Sequence, residues 1–97
     1  MITAKQRAYL RSLANSIDPI LQIGKAGIGE NLITQLDDAL NARELIKITV
    51  LRNSPLEPYD ACDELCAAVG ADPVSTVGNR IVLYRESKEH KQIYLTD

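Results

Sequence analysis

The chain contains no tryptophan and no phenylalanine, and its only aromatics are four tyrosines in 97 residues. A row of exposed rings on which unpaired bases could stack is therefore absent from the sequence pattern. Cysteine is almost as scarce. Cys62 and Cys66 stand four apart in a helical pattern, which puts them on one helix face, and they read as two buried small apolar residues, unpaired, in a reducing compartment. With His90 the single histidine, a metal site lacks ligands. No apolar run approaches the roughly 18 residues of a membrane span, and residues 1–7 lack the apolar core of a signal peptide. The expected location is the cytoplasm. A base beside a nucleophile, a carboxylate pair in a cleft or a cofactor fingerprint is also missing, so the chain reads as a non-enzyme without cofactor or small-molecule substrate.

What is present is ordinary globular material, nearly half apolar and a quarter charged. This length supports one domain with one core, expected to be monomeric, and no repeat, low-complexity run or linker interrupts it. The formal net charge is −2, but its distribution is uneven. Residues 1–25 sum to +3, residues 26–75 to −6 and residues 76–97 to +1. A polarised chain can steer one face toward a polyanion although the whole is acidic.

Thr3-Ala4-Lys5-Gln6 reads as a capping box opening a helix over about 4–15, with Tyr9, Leu10, Leu13 and Ile17 as its apolar stripe. Arg7 and Arg11, one turn apart, fall off that stripe. Asp18-Pro19 ends the helix, and Ile20-Leu21-Gln22-Ile23 forms a short strand. A second helix over about 29–42 buries Ile28, Leu32, Ile33, Leu36, Ala39 and Leu40. Residues 45–50 alternate with period two, with Ile46, Ile48 and Val50 on one face and Lys47 and Thr49 on the other. Ser54-Pro55 through Pro58 opens a third helix that Gly70 closes. Its outer face carries Glu57, Asp60, Asp63 and Glu64. Val74–Val77 and Arg80–Arg85, joined by Gly78-Asn79, make a hairpin whose second strand, the most continuously apolar, is expected at the sheet centre. Tyr84 in that strand has two readings, a ring stacking on a base or core with its hydroxyl at the edge, and a tyrosine in an apolar strand favours core.

The order α-β-α-β-α-β-β gives an α/β (α+β, two-layer) fold. Two right-handed crossovers in one direction put helices two and three on one side of the sheet. The other side, with Gln22, Lys47, Thr49 and Ser75, is expected to face solvent. The tail, 86–97, mixes charges with Ile93, Tyr94 and Leu95, and the sequence leaves their docking place open.

The chain turns on Ile23-Gly24-Lys25-Ala26-Gly27-Ile28-Gly29-Glu30, where a strand passes through glycines into a helix. Two glycines three apart let another backbone approach closely. The helix start offers unpaired N–H groups and a positive dipole end, and Lys25 adds a cation. Glu30 in the first turn competes for the same helix end. A strand-to-helix turn also uses glycine for geometry alone.

The capped basic first helix, the segment Pro19 to Glu30, Glu44-Leu45-Ile46-Lys47-Ile48 and Val77-Gly78-Asn79-Arg80-Ile81-Val82-Leu83-Tyr84-Arg85 together resemble the YhbY family, single-domain bacterial members of the CRM group (chloroplast RNA splicing and ribosome maturation). The resemblance covers nearly the whole chain in order. It implies a single RNA-binding domain over 1–97, similar in fold to the C-terminal domain of translation initiation factor three. The implied sheet is four-stranded and mixed, of order 1-2-4-3, with strand four antiparallel to the others. It further implies a partner, ribosomal RNA in precursors of the large subunit (pre-50S particles). Carried over by position, the RNA-binding G-x-x-G loop is Gly24, Lys25, Ala26 and Gly27, which resembles the backbone-clamping loop of KH domains. Adjacent bases would be Lys5, Arg7 and Arg11, with Lys47 and Arg85 matching further basic positions. Gly29 stands where relatives often have Ser or Thr. A second class of function, a protein-binding adaptor that docks on a ribosomal or assembly protein through the acidic helices, remains beside this reading.

Overall fold

The structure, a computed structural model, describes residues 2–95. Helix α1 (Ala4–Ala14) opens on the expected capping box, in which the Gln6 N–H donates to Thr3 Oγ1 at 3.1 Å and the Thr3 N–H donates to Gln6 Oε1 at 2.9 Å. After it come β1 (Leu21–Ile23), α2 (Glu30–Arg43), β2 (Leu45–Val50), α3 (Pro58–Val69), β3 (Asp72–Val77) and β4 (Arg80–Tyr84). The strands form one sheet of order β1-β2-β4-β3, with β4 antiparallel to both neighbours and β1 parallel to β2.

Period-two alternation decides what each face of the sheet packs against. Ile46, Ile48 and Val50 of β2 and Ile81 and Leu83 of β4 meet Leu36 and Leu40 of α2 and Ala61, Cys62 and Leu65 of α3. Both crossover helices thus lie on one side, as the handedness rule requires. The Cys62 and Cys66 thiols are unbridged here, but only Cys62 is buried as expected; Cys66 is half-buried at the rim of the core, and its hydrogen bond to Cys62 and partial burial push its pKa up. Gly70, at φ +68°, caps α3 in the left-handed conformation.

The second face departs from expectation. Helix α1 lies across it and buries Leu10 and Ala14 against Leu45, Val74, Val82 and Tyr84, leaving solvent only the end of the face nearest the β3–β4 turn. Tyr84 is core at 5% exposure, whereas Tyr9, assigned to the apolar stripe, is 49% exposed and Ala14 takes its place. β3 begins two residues earlier than its apolar run, at Asp72. As an edge strand it tolerates Pro73, and a register shift between Pro73 and Ser75 marks a bulge at that point.

The tail finds its place through Glu44, at the junction of α2 and β2. Glu44 follows α2 at φ +66°, is wholly buried, and its carboxylate accepts from the backbone N–H groups of Ser87 (2.8 Å), Gln92 (2.6 Å) and Ile93 (2.7 Å). Its own carbonyl accepts from the Arg85 N–H. Ile93 and Leu95 then pack on the α1 core. Burial alone would raise the pKa of this carboxyl, but the three N–H donors and nearby Lys91 together outweigh it, and the net displacement is downward.

The Glu44→Gln substitution turns an amide NH2 toward donors that need an acceptor, a loss of about 1–3 kcal/mol. Each kcal/mol lowers the melting temperature of a domain this size by about 4–8 °C. Because the folded-state pKa is depressed, the carboxylate's contribution is present above the unfolded value of 4.5 and is lost as the pH falls through the lower folded value. Melting curves of parent and variant should therefore differ at neutral pH and converge as the pH is lowered below 4.5.

Candidate nucleic-acid interface

Three turns meet at one end of the sheet. The Leu51 N–H donates to the Ile23 carbonyl at 2.8 Å, joining the loop after β1 to the turn after β2, and the Val50 N–H donates to the Asn79 carbonyl at 2.7 Å, joining the β3–β4 turn to both. The glycine loop is a tight turn closed by the Gly27 N–H donating to the Gly24 carbonyl at 2.9 Å, with Lys25 and Ala26 exposed at its tip. α2 starts directly beyond it, and Gly29 at the N-cap supplies no side-chain acceptor, so no side chain of the cap residue occupies the first-turn amides. A cleft of about 540 Å³ beside the loop is lined by Gln22, Ala26, Gly27, Gly29 and Glu30 among others. Glu30 sits at the mouth of this anion-favouring end, as the sequence warned.

The two loop glycines have different reasons. Gly27 lies at φ +70°, and a Cβ there would come within 3.1 Å of Pro55 Cγ. Gly24 is not in the left-handed region, and its Cβ would meet Leu51 Cδ1 at an ordinary 3.6 Å.

On the α1 face, Arg11 and Lys47 line one cleft of about 280 Å³ together with Arg80, Asn15 and Ser75. Strand pairing sets Gln22 beside Thr49 and Thr49 beside Arg80, so a polar row runs from the glycine loop to that cleft. Lys5 and Arg7 lie toward the other end of α1. Arg7 Nε donates to the Pro73 carbonyl at 3.1 Å, and Lys5 lines a separate cleft of about 310 Å³ with Gln6, Tyr9, Tyr94 and Leu95. Tyr9 and Tyr94, 49% and 69% exposed, are the solvent-facing rings that line that cleft among the described residues, and Lys91 Nζ stands 5.1 Å from the Tyr94 ring centre.

Arg85 is not brought to this face. Its guanidinium donates to Asp37 Oδ1 (2.7 Å), the Val69 carbonyl (2.8 Å), the Asp37 carbonyl (3.0 Å) and Asn41 Oδ1 (2.9 Å), and so ties the end of α3 to α2. Among the described residues the ion pairs are Arg85 with Asp37 and Lys91 with Glu86; Arg11, Lys25, Lys47, Arg52 and Arg80 enter none. The acids Asp37, Asp38, Asp60, Asp63 and Glu64 all ride on α2 and α3, behind the sheet. Sequence reasoning passed over Arg52 and Arg80, which look like isolated charges until the turns are folded together.

A profile of the CRS1/YhbY (CRM) domain matches residues 2–85. The chain belongs to this family. It is 48% identical over 95 residues to the Probable RNA-binding protein YqeI of Bacillus subtilis, covering 98% of this chain and 99% of that one. With an RNA-binding protein of Haemophilus influenzae it shares 31% over 90 residues, 93% of this chain and 91% of the other. The solution structure of the Staphylococcus aureus protein SAV1595, described there as a candidate RNA binding protein, superposes with a TM-score of 0.83 at 52% identity, covering 99% of this chain and all of that one. Among the described residues no group of three or more His, Cys, Asp or Glu is arranged to hold a metal ion, and no helix is long and apolar enough to cross a membrane.

Gly27→Ala should destabilise the fold by about 1–2 kcal/mol, the steric penalty of a left-handed Cβ, while Gly24→Ala stays within about 0.5 kcal/mol of the parent. Denaturant midpoints of the two variants check this. Arg85→Ala should also destabilise, by about 1–3 kcal/mol, chiefly through the carbonyls of Val69 and Asp37 left without their donor. The ion pair itself adds little, because the Asp37 side chain is 49% exposed. Lys47→Ala, measured beside it, should leave the midpoint unmoved.

Proposed function

We propose that this protein binds RNA through the Gly24–Gly27 turn and the bases beside it, and that its target is ribosomal RNA in precursors of the large subunit, in the cytoplasm. The observation that carries the reading is the convergence at one end of the sheet. The exposed Lys25-Ala26 tip lies there next to a face on which Arg11 and Lys47 share a cleft with no carboxylate lining it. The names of the relatives support RNA as the polyanion. Phosphates approaching the turn meet N–H groups, a positive helix end and Lys25. Unpaired bases beyond it meet neutral polar side chains, which favours backbone recognition with weak sequence selectivity.

The acidic outer faces of α2 and α3 keep the adaptor reading alive as the outcome of the same test. With three to five phosphate contacts on a single strand, log K should fall with log salt at a slope of roughly −2 to −3.5, about 0.7 per contact. The double substitution Lys25→Asp with Ala26→Asp should weaken RNA binding on the order of tenfold, about 1.4 kcal/mol, and leave the melting temperature nearly unchanged, since both positions are exposed. Salt-independent association with ribosomal particles, surviving in the double variant, would replace RNA by a protein partner.

A further inference from the structure

We infer that the open end of the α1 face is a track for one RNA strand leaving the glycine loop, with Arg80 and Arg52 as phosphate contacts outside the loop. The inference rests on the RNA-binding reading and extends it to two residues and to a strandedness. Four observations carry it. First, the strand register sets Gln22, Thr49, Arg80 and Val77 side by side across all four strands on one face. At about 4.8 Å between neighbouring strands the row is roughly 14 Å long. Gln22 stands at its loop end, where it also lines the cleft beside Ala26 and Gly27. Second, this row is the part of the face that α1 leaves exposed or half-exposed, and it contains no acid. Third, the next row back places Lys47 beside Val82, and Arg11 reaches the same cleft from α1, so three cations surround one depression of about 280 Å³. Fourth, Arg52 is exposed in the turn that abuts the glycine loop, where Gly24 faces Leu51 and Asn53. None of these cations has an ion-pair partner among the described residues.

The length of the row selects the strandedness. Duplex-RNA domains read shape across about 16 base pairs and two successive minor grooves, far more than a row of roughly 14 Å can touch. A single strand needs only a line of cations for its phosphates and hydrogen-bonding side chains for bases turned outward. Gln22, Thr49, Asn15 and Ser75 are such side chains, neutral and able both to donate and to accept.

The test uses the whole chain with two probes, a 12-nucleotide oligouridylate and a blunt 16-base-pair RNA duplex, and measures affinity across a salt series. Arg52→Ala and Arg80→Ala should each lower affinity for the oligouridylate several-fold and reduce the magnitude of the salt slope by about 0.7, the pair by about 1.4. Arg80→Gln, which keeps a polar chain in the strand, should reproduce the slope change if Arg80→Ala disturbs folding, and Arg52→Ala lies outside any strand. If the parent binds oligouridylate, the loop double variant weakens it and the arginine variants keep the parent's slope, the track is wrong and the RNA reading stands. A duplex bound more tightly than the single strand overturns the strandedness. A parent that binds neither probe overturns the track and the RNA reading together.

Discussion

Glu44 is the constraint on which the arrangement of the second face depends. A charge removed from water is tolerated when its acceptor sites are filled, and Glu44 fills them with three backbone N–H groups of the tail. Its backbone sits at the junction of α2, β2 and the end of β4, at a positive φ that glycine would adopt more readily. A non-glycine residue persists there because its carboxylate has work that glycine cannot do. By tying residues 87–93 to this corner, Glu44 brings Ile93 and Leu95 against the α1 core. Ser87 adds to the tie by donating from its hydroxyl to the Asn41 carbonyl at 2.6 Å. Without the tail, α1 would hold the sheet through little more than Leu10, Ala14 and their half-buried neighbours.

The position of α1 converts an acidic chain into a protein with a basic face. Net charge averages over surfaces that a ligand never sees together. Here most acids of α2 and α3 lie on the side of the sheet away from that face. The cations on the open face and the turns beside it are Lys25, Arg52, Arg80, Lys47 and Arg11. Glu30 in the first turn of α2, and Glu57 and Asp60 at the start of α3, are acids that stand at the loop end.

The elements were legible because each rests on a local rule. The capping box, the alternation in β2, the Gly70 cap and the Gly78-Asn79 turn all appear where those rules put them. What the sequence could not show depended on a third layer. Tyr9 and Ala14 both continue a helical stripe with Leu10, and the choice between them depends on which way α1 is rolled on the sheet. Glu44 carried no sign of burial, since its partners are backbone N–H groups that any residue possesses. The candidate site was half legible: the loop is a local motif, but the neighbours it acquires come from the ends of β2 and β4.

Arg80 and Arg85 show how far a simple count could have gone. Both are basic and both bound the same apolar strand, and of the two the resemblance singles out Arg85. Successive residues of a strand face opposite sides, so positions separated by an odd number cannot share a face. Ile81 and Leu83 face α2 and α3, and Arg85, two further on, continues that face to Asp37, Asn41 and the end of α3. Val82 and Tyr84 face α1, which puts Arg80 on the side of Lys47 and Arg11. Lys47 pairs directly with Val82, and the pairing fixes the two faces without any side-chain detail. The alternation in β2 already placed Lys47 away from the crossover helices. Once β2 and β4 are neighbours, parity assigns one arginine to the fold and leaves the other on the open face beside Lys47 and Arg11.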